Sequence, residues 1–172
     1  MKKQDLQPTE YNDYIGGYIG KVEDDTELLA GYEADKNMIV DFFTSIPKNK
    51  LSYRYEPTKW SVKEVFQHII DTERVFMYRM LCIARTDTTN FPGYNQNLYI
   101  KPAAADNKTL DSLITEFKIT RAYSVNVLES LNDTDLKNMG MVSDAPLSAR
   151  ACAFLLLGHS IWHIEVLKER YL

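Results

Sequence analysis

The chain is 172 residues long, with 45% apolar and 26% charged side chains and a formal net charge of −4. That length fits one domain over residues 1–172 with a core that needs no disulfide. The apolar balance excludes wholesale disorder, and a weakly acidic chain lacks the footprint of a nucleic-acid binder.

After a Tyr/Gly-rich lead-in, YNDYIGGYIGKV, the spacing of Leu28, Tyr32, Ile39, Phe42 and Phe43 predicts a first long helix from about Asp25 to Ser45, ended by Pro47. A second is predicted from about Ser61 to Arg85. Ser61 with Glu64 forms a capping box, and Val62, Val65, Phe66, Ile69, Phe76, Met80 and Ile83 make one stripe. A connection of about 22 residues follows, which is long for a compact domain and marks a functional loop or a crossover. It contains the Pro92-Gly93 turn, then Tyr94, Asn95, Asn97 and Tyr99. The third helix runs from about Thr109 to Leu131. NDTDLKNMGMVSDAP reads as a second polar connection without a strong pattern. The fourth helix, from about Ser148 to Tyr171, starts almost wholly apolar and belongs at the centre. No strand-like alternation exceeds four or five residues. The expected fold is all-α: a four-helix bundle with a long crossover between helices two and three. No apolar run nears the ~20 residues of a membrane span, and the N-terminus lacks the apolar segment of a secretory signal. Cys82 and Cys152 fall in apolar helical patterns and read as reduced thiols, so a cytoplasmic protein is expected.

The chain has three histidines. His159 and His163 share a face of the fourth helix at i and i+4, and His68 can face them across a bundle core. Three converging imidazoles with an open side is the layout of a catalytic zinc or related divalent site. The competing reading is core or surface histidines that happen to share a face. Ser160 stands where an HExxH protease has its general-base glutamate, so that chemistry is not supported. Trp162 reads as packing.

Two segments carry a family resemblance. WSVKEVFQHIIDTERVFMYRMLCIARTDTTNFPGYNQNLYI resembles the W-S-x-x-E-x-x-x-H-x-x-D-x-E stretch of the DinB/YfiT-like superfamily, with its following arginine and PG-aromatic loop. SARACAFLLLGHSIWHIEVLKERY resembles that family's last helix. The resemblance implies an up-down-down-up four-helix bundle with His68, His159 and His163 as ligands of one divalent metal ion. Zinc or nickel is expected, with manganese or iron as alternatives. Many relatives have a histidine where this chain has Trp162. The resemblance also implies that two copies pair. Eleven tyrosines and seven phenylalanines, together with Tyr53, Tyr55 and Trp60 near the helix ends, are enough to cover a homodimer contact.

Some relatives are described as metal-dependent hydrolases, others as bacillithiol- or mycothiol-dependent transferases and isomerases. The expected function is a hydrolase acting on a small molecule through a metal-activated water. A thiol S-transferase or isomerase using a low-molecular-weight thiol, or a non-catalytic metal-binding stress protein, are the alternatives. A hydrolase needs a base, and the local candidates are Glu64, read first as a cap, and Asp71. A thiol pocket needs cations, for which Arg74, Arg79 and Arg121 are candidates. Glu73 and Arg74 read as an ion pair or a buried tie between helices, and Arg79 as a surface salt bridge. Tyr94 and Asn97 would contact a ligand only if their loop covers the metal; loop packing is preferred. No nucleic-acid or membrane partner is expected.

Overall fold

Hydroxyl side chains start three of the four long helices of the computed structural model, which describes residues 1–172. Ser61 Oγ accepts from the Glu64 amide and the Glu64 carboxylate accepts from the Ser61 amide, closing the expected capping box. Thr109 and Ser148 cap the next two long helices in the same way. Each cap satisfies an amide that has no partner inside its helix. In chain order the helices are α1 (Asp13–Ile19), α2 (Leu28–Ser45), α3 (Val62–Ala84), α4 (Asn97–Ala103), α5 (Leu110–Glu129), α6 (Asp133–Lys137) and α7 (Ala149–Arg170).

The long helices α2, α3, α5 and α7 form a four-helix bundle. Both α3 and α2 pack against α5 and α7, so the order around the bundle is α2, α5, α3, α7. Side-chain pairs fix the directions. Tyr32 meets Met77 while Phe43 stacks on Phe66 at 3.9 Å, so α2 and α3 are antiparallel. Gln67 meets Glu116 while Glu73 meets Arg121, so α3 and α5 are parallel. Tyr32 meets Ala153 while Asp35 meets Ser160, so α7 runs with α2. The sense is up-down-down-up.

A transverse polar layer divides the core into two apolar clusters, one around Tyr32, Met77 and Phe154 and the other around Phe43, Phe66 and Phe117. At its centre the fully buried Arg121 guanidinium grips Glu73 with two bonds of 2.9 and 3.0 Å, donates to Tyr32 O, and lies 2.8 Å from Asp35. Ser124 donates to Glu73 and Ser160 to Asp35, so all four long helices contribute. The two carboxylates raise the Arg121 pKa further, which holds its charge despite burial. Glu73 is the buried tie expected, but its partner is Arg121; Arg74 is an exposed residue paired with Asp71 and Glu116.

The connections hold more structure than the sequence reading gives them. The Tyr/Gly lead-in contains α1, which packs on α7. The crossover contains β1 (Asn90–Phe91) as well as α4, and the polar segment after α5 contains β2 (Met139–Val142) and β3 (Ala145–Ser148). β1 pairs parallel with β2, and β2 antiparallel with β3, in a small three-stranded sheet. Strands of two to four residues are too short to show alternation. No helix is long and apolar enough to cross a membrane. Cys82 and Cys152 form no disulfide.

Candidate metal centre

Helix α3 presents His68 two turns after its capped start, and α7 presents His159 and His163 one turn apart on the face turned to α3. Their Nε2 atoms converge. His159 Nε2 lies 3.1 Å from Nε2 of His68 and 3.1 Å from Nε2 of His163. One ligand atom from each residue falls within 4.8 Å of the other two. A neutral imidazole nitrogen has either one N–H or one lone pair in the ring plane. His159 Nε2 must therefore share one N–H or one lone pair between its two neighbours.

All three rings are buried, and burial keeps them uncharged. It pushes the His68 pKa down to about 4. Burial and the neighbouring imidazoles push His159 and His163 well below the ordinary value. His68 Nδ1 lies 3.4 Å from Thr72 Oγ1, which is 3.0 Å from the Tyr94 hydroxyl. Aromatic rings close around the imidazoles: Trp60 against His68, Trp162 against His163, and Tyr18 against both His159 and Trp162.

The histidines line a cavity of ≈ 320 Å³. Thr72, Phe76 and Arg79 of α3 and Leu155 and Trp162 of α7 continue its wall, and the rest comes from outside the bundle: Tyr14 and Tyr18 of α1, Gly93 and Tyr94 of the crossover, and Val142 and Ser143 at the end of β2. The wall contains no carboxylate, and its single charged side chain is Arg79.

A model of the DinB superfamily matches residues 32–167. The chain belongs to the DinB superfamily. Among solved structures, this superfamily member is similar to YfiT from Bacillus subtilis, described as a probable metal-dependent hydrolase with an unusual four-helix bundle topology. The TM-score is 0.72 at 16% identity, over 95% of each chain. No curated protein sequence matches.

The structure brings together the three expected histidines and separates them from both proposed bases. Glu64 closes the capping box and pairs with Arg54. Asp71 lies in a different hollow with Gln67, Arg74 and Glu116, where burial holds its carboxyl above the ordinary range. Arg121 belongs to the polar layer and Arg74 to the surface, so neither serves the cavity. Arg79 makes no surface salt bridge: it is buried and donates to Pro92 O at 2.7 Å. Tyr94 is a cavity wall rather than loop filling alone, whereas Asn97 borders another hollow. Trp162, 36% exposed, both packs on His163 and lines the cavity. Sequence reasoning missed Thr72, Tyr14 and Tyr18; of these only Thr72, at i+4 from His68, had a spacing that could have found it.

Proposed function

We propose that this protein holds one divalent cation on His68, His159 and His163 and uses it to hydrolyse a small molecule in the adjoining cavity. The observation that carries the reading is the convergence of three buried, uncharged Nε2 atoms from two helices. A four-coordinate cation with bonds of about 2.0–2.1 Å holds two imidazole nitrogens about 3.3 Å apart, close to the spacing seen. The donors are neutral, as ligation requires, and three imidazoles suit zinc or nickel, and also manganese or iron. The fold shared with YfiT, itself described as a probable metal-dependent hydrolase, supports the same reading.

A bound cation supplies Lewis acidity and lowers the pKa of a water toward neutrality. The chain's own groups do the rest. With Nε2 of His68 committed to the ion, Nδ1 carries the proton and donates to Thr72 Oγ1, which fixes the ring. Thr72 then donates to the Tyr94 oxygen. Burial raises the pKa of both Tyr18 and Tyr94, so these phenols stay protonated and offer hydrogen bonds to a substrate instead of acting as bases. Trp60 and Trp162 exclude bulk water from the imidazoles.

The lack of a carboxylate in the cavity favours one second reading. A low-molecular-weight thiol bound as thiolate needs no protein base, and the protein would then be an S-transferase or isomerase. Elemental analysis after dialysis against zinc or nickel should give about one ion per chain, and His159→Ala should abolish it. Equal metal in the variant and the wild type would refute the site. On the zinc-loaded protein, turnover of small esters or amides supports the hydrolase; thiol consumption without hydrolysis supports the transferase, and neither leaves a binding module.

A further inference from the structure

We infer that Arg79 is the anchor for a negatively charged group, so that the molecule processed at the histidines is a small carboxylic acid bound by its carboxylate at the far end of the cavity. The inference rests on the proposed metal site for the position of the reacting end. It rests on Arg79 itself for the acid.

A guanidinium taken out of water without a counter-ion is costly. Such a group is normally paired, as Arg121 is here with Glu73 and Asp35 and as Arg150 is with Glu10. Arg79 is 5% exposed and has no such partner. Its one bond to the protein is from Nη2 to Pro92 O, and its faces lie on the rings of Phe76 at 4.7 Å and Tyr94 at 5.5 Å. Its Nε and Nη1 atoms take no protein acceptor. The one sealed side-chain polar atom without a hydrogen bond is Asp35 Oδ2, which faces Arg121 as an ion pair, so the free donors of Arg79 are not sealed. Arg79 is part of the cavity wall, so the cavity is where a ligand can meet those donors.

The surroundings select an anion. No acidic side chain in the cavity wall competes for the guanidinium or repels a carboxylate. Once Thr72 donates to the Tyr94 oxygen, the Tyr94 O–H is left to donate beside Arg79, giving charge-assisted bonds from two residues. Helix geometry sets the length. His68, Thr72 and Arg79 share one face of α3, and Arg79 is eleven residues beyond His68, about 16 Å along the axis. The arginine side chain leans back toward the helix N-terminus, which shortens the gap to the histidines. A ligand with a carboxylate at one end and its reactive group several bonds away spans that gap, past the apolar walls of Phe76 and Leu155.

Both tryptophans of the chain line this cavity, so their fluorescence reports its contents. On the metal-free protein, hexanoate should bind at least about tenfold more tightly than hexanol. Arg79→Gln should erase that preference, and Arg79→Lys should keep most of it. Tyr94→Phe should weaken it partly, and circular dichroism on each variant reports folding. Equal binding of hexanoate and hexanol by the wild type overturns the inference, and needs no variant to fold. So does a folded Arg79→Gln that still prefers the acid. On cobalt-loaded protein, ω-mercaptohexanoate should perturb the visible cobalt bands at lower concentration than ω-mercaptohexanol. Protein that takes up no cobalt refutes the metal reading while the hexanoate comparison still judges Arg79. Cobalt uptake with equal response to the two thiols leaves the metal site standing and removes the acid anchor.

Discussion

Three uncharged imidazoles buried against one another respond to acid in a definite sense. An unfolded histidine titrates near 6.5, whereas His68 in the folded chain titrates at about 4 and its two neighbours lie well below the ordinary value. Between those limits the unfolded chain binds more protons, so stability falls as pH drops below about 6.5 and keeps falling until the folded values are reached. His68 alone accounts for about 3 kcal/mol by pH 4. Thermal melts of the metal-free protein should show this loss. The triple variant His68→Gln, His159→Gln, His163→Gln should fold cooperatively and lose stability less steeply over the same range. Metal-free wild-type protein that shows no cooperative melt would make the metal structural. At this scale the sequence is legible where chemistry is local: the histidine spacing, and the Ser61–Glu64 cap. Arg79 is not legible, because what matters is which partner it lacks, and partners are set by tertiary packing. Read from sequence, Arg79 and Arg121 are equivalent basic residues on amphipathic helices; in the fold one is neutralised by two carboxylates and the other by none.

Among the elements, α1 depends on a single missing side chain. A Cβ at Gly158 would lie 1.9 Å from the Tyr18 carbonyl oxygen and 2.5 Å from its carbon. Backbone cannot yield to such a contact, so α1 docks on α7 at that point because residue 158 is glycine. Gly158→Ala should therefore lift α1 away and remove Tyr14 and Tyr18 from the cavity wall. The expected cost is about 1–3 kcal/mol, with faster amide exchange in residues 13–19 and little change in α3 and α5. Unchanged exchange there would refute the docking role. The four long helices follow from apolar spacing, three of them with hydroxyl caps, and their ends match the sequence reading within a few residues. The hairpin of β2 and β3 does not follow. Its turn residues, Ser143 and Asp144, both have positive φ, at 54° and 62°. A two-residue turn of that kind is normally signalled by Asn-Gly, and Ser-Asp gives no such signal. The seven-residue α1 is likewise too short for periodicity to separate it from a loop, and it is held by α7 rather than by its own propensity.

For the whole molecule, the aromatic surplus that suggests pairing is largely used inside one chain. Tyr53 and Tyr55 pack on Tyr171, Trp60 on His68, and Tyr18 on His159. Our proposal of a two-fold homodimer then stands on the family resemblance. Light scattering at micromolar concentration should give twice the 19.9 kDa chain mass; a mass of one chain that does not rise with concentration would end it.

The parallel setting of α3 and α5 imposes one condition on every chain built this way. Having reached the end of α3, the backbone must travel back along the whole helix, about 34 Å for 23 residues, before α5 can begin beside its start. The contacts trace that return: Pro92 on Arg79, Tyr94 on Thr72, then Asp106 on Ser61. A covering segment over the histidines is thus a geometric debt of the topology and not an ornament added to it. Transplanting residues 86–108 from another bundle of the same sense would exchange the roof of the chamber and leave its floor, the imidazole cluster, in place. What the roof adds to the chamber, Gly93, Tyr94 and Gln96, could in that way change while Arg79 and the imidazoles stay where the helices put them.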